Sequence, residues 1–126
     1  MTTSECSILI VDDDYLIATE LAQHLKLAGY DVVGPCSQVA DARRLIADKR
    51  PDCAFLDINL GEGRTSFDFA EELETQGLPF AFITGYSSLP EGEKRFQDAG
   101  LLIKPVEPAA VAAQARRMCG SDNRPG

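Results

Sequence analysis

The sequence predicts an α/β fold, doubly wound, with a five-stranded parallel sheet and five helices. Three observations predict it. Short β-rich apolar runs alternate along the chain with longer segments whose apolar residues recur at three- and four-residue spacing, the periods of strand and helix. The clearest runs are continuously apolar, as expected of strands buried on both faces. Polar residues recur where those runs end, on the edge where open α/β sheets bind ligands. Helical, right-handed crossovers between parallel strands then place helices on both faces.

Each element follows from its residues. Cys6–Val11 is a β-branched apolar run and the first strand; Asp12, Asp13 and Asp14 follow it. Ile17, Leu21, Leu25 and Ala28 form one helical face, which Gly29 is placed to stop. Tyr30–Pro35 is a shorter strand, and Ser37 is a candidate cap for a helix that must finish before Pro51. Asp52–Asp57 is the third strand, and the Asn59–Arg64 loop, with Gly61 and Gly63, follows it. Thr65, with Asp68 three residues on, has the spacing to cap a helix through Gln76. Pro79–Ile83 is the fourth strand, ending at Thr84-Gly85. Ser88 and Glu91 bracket Pro90 at the start of a short fourth helix, weakened by about 1 kcal/mol by Gly92. Leu101–Ile103 is the fifth strand. Pro108 opens the last helix, where Arg116 and Arg117 suit the C-terminal dipole and Gly120 ends it.

Composition bounds the function. The 126 residues suit one domain, expected over residues 1–120, with 121–126 a polar tail too short for a DNA-binding module. Twelve Lys and Arg against 20 Asp and Glu leave a net charge of −8, which disfavours nonspecific nucleic-acid binding and docking on anionic membranes. No apolar run approaches the ~20 residues a membrane helix needs. The N-terminus lacks the basic and apolar regions of a secretory signal, so a cytoplasmic location is expected. Cys6, Cys36, Cys53 and Cys119 are scattered without metal-site spacing and read as reduced core thiols. The single histidine, His24, falls mid-helix and reads as a surface or edge residue.

The chemistry gathers at the strand ends. The first strand ends in Asp12-Asp13-Asp14, the third in Asp57, the fourth in Thr84 and the fifth in Lys104. Crowded carboxylates repel unless a cation or a proton compensates. Oxygen ligands without His or Cys favour a hard cation such as Mg²⁺. Carboxylates that hold an ion beside a lysine and a hydroxyl prepare a phosphoryl site, and a carboxylate can itself be the nucleophile. Asp57 stands apart from the Asp12–Asp14 cluster and is the natural acceptor.

The motifs ILIVDDD (Ile8–Asp14), FLDINLG (Phe55–Gly61), FITGY (Phe82–Tyr86) and IKP (Ile103–Pro105) resemble the receiver domain of bacterial two-component response regulators over about residues 6–119. The resemblance implies strand order 2-1-3-4-5 and phosphorylation on Asp57. It implies Mg²⁺ held by Asp12, Asp13, Asp57 and the backbone carbonyl of Asn59. Thr84 matches the switch hydroxyl, Gly85 a position kept small for donor access, and Lys104 the family's lysine, with a cis bond to Pro105. Asn59 and Tyr86 match the positions flanking the acceptor, where Tyr86 is expected to shield the phosphoryl group. Asp14 falls outside the usual acidic pair and is expected to start the helix.

Two departures stand out. Leu101 occupies the place of the family's aromatic switch residue, so output cannot rest on a rotating ring. Gly61 replaces the loop's usual proline, so that loop is expected to be looser. FITGY together with Leu101 resembles the alphaproteobacterial FATGUY receivers, although Ile83 replaces the motif's alanine.

The reading is therefore a single-domain response regulator that takes its phosphoryl group from a sensor histidine kinase or a histidine phosphotransfer protein. It is not an ordinary enzyme, but catalyses its own phosphorylation and slow dephosphorylation. It signals to an unidentified protein target or passes phosphate onward, as a monomer or a weak phosphorylation-dependent dimer. Tyr15, Leu16 and Thr19 are expected to meet the donor, and Glu93, Lys94, Phe96 and Leu101 the target, with Phe96 equally suited to the core. The alternative is a phosphorylation-independent interaction module on the same fold. A haloacid-dehalogenase phosphatase is disfavoured because Asn59 stands where its second aspartate is needed, and a flavin or nucleotide domain because no glycine-rich loop follows the first strand.

Overall fold

The computed structural model describes residues 6–85, 96 and 99–119. In chain order the elements are β1 (Ser7–Val11), α1 (Tyr15–Leu27), β2 (Asp31–Cys36), α2 (Val39–Lys49), β3 (Cys53–Asp57), α3 (Phe67–Gln76), β4 (Phe80–Thr84), β5 (Gly100–Ile103) and α4 (Pro108–Cys119). The strands pair in parallel, in the order β2-β1-β3-β4-β5. The helix expected between β4 and β5 lies outside the described residues apart from Phe96, as does the tail 121–126. No helix among the described residues is long and apolar enough to cross a membrane.

Two cores flank the sheet because side chains alternate along each strand. Ile8, Ile10, Phe55 and Ile83 meet Leu21 and Leu25 of α1 and Val111 and Ala115 of α4. Leu9, Val11, Leu56 and Phe82 meet Ala42 of α2 and Phe69 and Leu73 of α3. This is why β1, β3 and β4 read as continuous apolar runs: both of their faces are covered. Registers Ile10↔Phe55 and Phe55↔Ala81 carry the three central strands side by side, and their carboxyl ends share one edge.

The edge strand β2 departs from regular pairing. Leu9 pairs with Val33 but Val11 with Cys36, so β2 carries one extra residue. Gly34 occupies that irregularity at φ +92°, and a Cβ there would stand 3.0 Å from Cys36 N. The peptide bond to Pro35 is cis, as is Lys104–Pro105; the second was expected, the first was not.

Several local expectations are corrected. The start of α2 has Gln38, not Ser37, at its cap position, with no side-chain cap bond. Likewise α3 begins after Ser66, and Thr65 instead forms a bridge with Asn59. The main chain explains the delay: Ser66 N donates to Ile58 O at 2.9 Å, holding this segment in the loop until residue 67. Phe96 is a core residue, 1% exposed, with its ring against Phe67, Phe80 and Phe82; it is not available as a docking residue.

The cysteine expectation is overturned for one pair. Cys6 and Cys119 are joined by a disulfide across 113 residues of sequence, with Cα atoms 6.0 Å apart. The topology brings the start of β1 against the end of α4, a proximity that linear spacing does not encode. Cys36 and Cys53 are free thiols, as expected.

Candidate functional site

Four element ends build the site. Asp12 and Asp13 follow β1, Asp57 ends β3, Thr84 ends β4 and Lys104 follows β5. The sheet register places them together: Asp57 pairs with Ile83, and Thr84 with Ile103. Lys104 N donates to Thr84 O at 2.8 Å, which fixes the start of the Lys104–Pro105 turn. Asp12, Asp57 and Thr84 are buried, whereas Asp13 and Asn59 face solvent. An open depression of about 730 Å³ over them is lined by Asp13, Tyr15, Asp57, Asn59, Gly85 and Lys104, among others.

The three carboxylates converge. Asp12, Asp13 and Asp57 each offer an oxygen, and these atoms lie within 4.8 Å of one another. Lys104 Nζ donates to Asp57 Oδ2 at 3.2 Å and stands 3.6 Å from Asp12 Oδ2. Asp12 is held by its own turn, its Oδ1 accepting from Asp14 N at 2.9 Å. Its Oδ2 is buried and has no hydrogen-bond partner, a costly state for a carboxylate oxygen. One ammonium is too little to compensate two buried carboxylates that are both ionised. Burial first, then the neighbouring Asp12 carboxylate, pushes the Asp57 carboxyl up to about 8, against the pull of Lys104.

That donor set fits a small hard cation. Its donors are carboxylate oxygens only, one buried Asp12 oxygen lacks a hydrogen bond, and Asp13 lies on the solvent side, where waters would complete a coordination shell.

The third aspartate of the run has a separate task, as expected. Asp14 caps α1, its Oδ1 accepting from Leu16 N and Ile17 N at 3.1 and 3.2 Å. Gly85, in the exposed mouth of the site, has open space where a Cβ would stand. Leu101 is half-buried on β5 and packs on the second core. Tyr86, Glu93 and Lys94 lie outside the described residues.

The loop after Asp57 is braced by its own main chain. Leu60 N donates to Arg64 O, and Arg64 N to Gly61 O, both at 2.9 Å. Gly61 also has a role that sequence reasoning missed. It sits at φ +89°, and a Cβ there would stand 3.2 Å from Asp13 Oδ2. The backbone conformation therefore disfavours a side chain there, and a Cβ would also oblige the Asp13 carboxylate to give by a few tenths of an ångström. The signal was present in the paired glycines, but not its target.

The sequence profile of the response regulator receiver domain matches residues 8–116. The chain belongs to this family. As a receiver domain of two-component systems it is similar to the phyllosphere-induced regulator PhyR of Methylorubrum extorquens, at 33% identity over 108 residues, which cover 84% of this chain and 40% of PhyR. It is also similar to the transcriptional regulatory protein PdtaR of Mycobacterium tuberculosis, at 29% identity over 83% of this chain and 51% of PdtaR. The chain thus spans about half or less of the length of these curated relatives. Among solved structures, the CheY-like receiver domain protein of Methanospirillum hungatei JF-1 superposes with a TM-score of 0.81 at 25% identity, covering 98% of this chain and all of that one. The signal receiver domain of a modulated diguanylate cyclase from Desulfovibrio desulfuricans G20 gives 0.80 at 29% identity, covering 93% and 95%.

Proposed function

We propose that this receiver domain accepts a phosphoryl group on Asp57 from the phosphohistidine of a kinase or phosphotransfer protein. The observation that carries the reading is the Asp12–Asp57–Lys104 arrangement: two buried carboxylates share one ammonium, and one buried carboxylate oxygen is left without a hydrogen bond. A group of this kind is poised for a cation and for an anionic ligand beside it.

Asp12, Asp13 and Asp57, with the backbone carbonyl of Asn59, would hold Mg²⁺. The ion would neutralise charge on phosphoryl oxygens and favour the ionised carboxylate. The remaining roles belong to the chain's own residues. The Asp57 carboxylate attacks phosphorus, a P–O bond forms, and the P–N bond to the donor imidazole breaks; the imidazole then takes up a proton. Lys104, freed from part of its pairing with Asp57, contributes positive charge to the new phosphoryl oxygens. The Thr84 hydroxyl offers them a hydrogen bond. Gly85 leaves the approach open, and Tyr86 limits the water that later hydrolyses the acyl phosphate.

Tyr15 and Leu16, 77% and 73% exposed at the start of α1, give the donor an apolar landing next to the carboxylates. With Leu101 half-buried instead of an aromatic rotor, the signal leaves through a protein partner that reads the β4–β5 side of the sheet. Incubation with Mg²⁺ and acetyl phosphate, followed by intact mass measurement, tests the acceptor. One phosphoryl adduct is expected, absent in Asp57→Asn. No adduct in the wild type would leave the phosphorylation-independent interaction module as the better reading, and an equal adduct in the variant would reject Asp57 as the acceptor.

A further inference from the structure

At the pole of the sheet opposite the carboxylates, three sulphurs meet. Cys6 directly precedes β1, Cys53 opens β3 and Cys119 closes α4. Their Sγ atoms lie within 4.8 Å of one another, with Cys6 and Cys119 bonded. We propose that the Cys6–Cys119 pair is a reversible redox site, made and broken by exchange with small thiols and disulfides while the domain stays folded.

Access selects the pair. Cys6 and Cys119 each keep 8% of their surface exposed, while Cys53 has none. The first two lie at the margin of the core, whereas Cys53 is sealed within it. Burial also pushes the Cys53 thiol up to about 12, so it stays protonated and competes poorly as a nucleophile. Both oxidation states suit the same packing. The pair belongs to the core built by α1 and α4, where two thiols are small apolar groups that bury no charge. Reduction therefore removes a tether without opening a cavity or orphaning a polar atom.

The tether joins two parts of the phosphoryl machinery at their far ends. β1 delivers Asp12 and Asp13, and α4 follows the Lys104–Pro105 turn and packs on α1. Oxidation fixes the end of α4 to the start of β1 and suppresses its local opening.

The chemistry balances with a low-molecular-weight disulfide as oxidant. One cysteine thiolate attacks that disulfide, forming a mixed disulfide and releasing one small thiolate. The second cysteine, losing its proton, attacks the sulphur of the first and expels the other small thiolate. Two protein thiols are oxidised, one disulfide is reduced, and the two protons pass to the released thiolates.

The test equilibrates the full chain in set ratios of reduced and oxidised glutathione, blocks thiols with N-ethylmaleimide and maps the peptides. Expected is a reversible Cys6–Cys119 bond, with Cys53 alkylated only after unfolding and Cys36, which packs on the other core, taking no part in it. Hydrogen exchange of the last amides of α4 should quicken roughly tenfold or more on reduction, the lower end of what a native cross-link confers. Cys53→Ala should keep the bond, and Cys119→Ser should lose the redox response. If Cys119→Ser does not fold, the wild-type titration decides alone. The proposal is overturned if Cys6 and Cys119 stay thiols at every ratio, if Cys53 takes either as its partner, or if the bond is reduced only once the chain is unfolded.

Discussion

Lys104 Nζ donates to Asp57 Oδ2 at 3.2 Å and reaches no closer than 3.6 Å to Asp12 Oδ2, so one ammonium serves two buried carboxylates unequally. Lys104 is 20% exposed at its side chain while Asp57 and Asp12 are nearly sealed. Removing the cation from such a set leaves buried negative charge without compensation. Lys104→Gln should lower stability by roughly 1–3 kcal/mol in metal-free buffer, and saturating Mg²⁺ should recover part of the loss. Urea unfolding with and without Mg²⁺ measures both; equal midpoints for variant and wild type would show that Lys104 does not compensate the pair.

Asp57→Asn is expected to act in the opposite sense. The wild-type side chain is buried against a second carboxylate, whereas the amide brings no charge. In metal-free buffer the variant should be more stable by about 1–2 kcal/mol. Mg²⁺ should stabilise the wild type and leave the variant much less affected, since binding to the native state alone raises stability. A variant that is less stable without metal would contradict the repulsion argument.

Gly61→Ala tests the bracing of the loop. The residue sits at φ +89°, and an added Cβ would stand 3.2 Å from Asp13 Oδ2, so alanine strains the backbone and crowds a site carboxylate at once. A loss of roughly 1 kcal/mol or more is expected, together with several-fold weaker Mg²⁺ binding by calorimetry. Normal Mg²⁺ affinity with lowered stability would separate the backbone effect from the displacement of Asp13.

The sheet was legible in the sequence because its three central strands are covered on both faces, and uninterrupted apolar runs such as Ile8–Val11 and Ala54–Leu56 state that directly. The site residues were legible for a related reason: parallel strands deliver their carboxyl ends to one edge, so Asp12, Asp57, Thr84 and Lys104 can be gathered without knowing any distance. Helix starts were less legible. Ser37 and Thr65 have capping side chains, yet the main chain at each point is still committed to a bend or a bridge. The Cys6–Cys119 bond was illegible because it depends on where α4 lands relative to β1. Asp13's approach to Gly61 depends likewise on a loop closed by its own hydrogen bonds.

Phe96→Ala separates a packing role from a docking role. The ring is 1% exposed and lies 5.4–5.9 Å from the rings of Phe67, Phe80 and Phe82. Truncation of a ring so enclosed should cost about 3–5 kcal/mol, read from thermal or urea unfolding. A surface docking residue would change stability by less than about 0.5 kcal/mol, so a small loss would place the ring outside the core.

Cys36 supplies a pH-dependent prediction independent of the metal site. Burial first, then the nearby Asp41 carboxylate, raises its thiol from 9.0 to about 11. The protonated form is thus favoured more in the folded chain than in the unfolded one. Its contribution to stability is complete below about 9 and is lost as pH rises through about 11. Alkylation needs the thiolate, and a rise of about two units lowers the thiolate fraction at pH 8 roughly hundredfold. Iodoacetamide at pH 8 should therefore modify Cys36 about a hundredfold more slowly in the native protein than in urea, and the ratio should shrink as pH approaches 11. Asp41→Asn should speed the native reaction by removing the second cause, leaving burial as the first. If native Cys36 reacts at the unfolded rate, its surroundings do not hold the proton and the argument from burial fails.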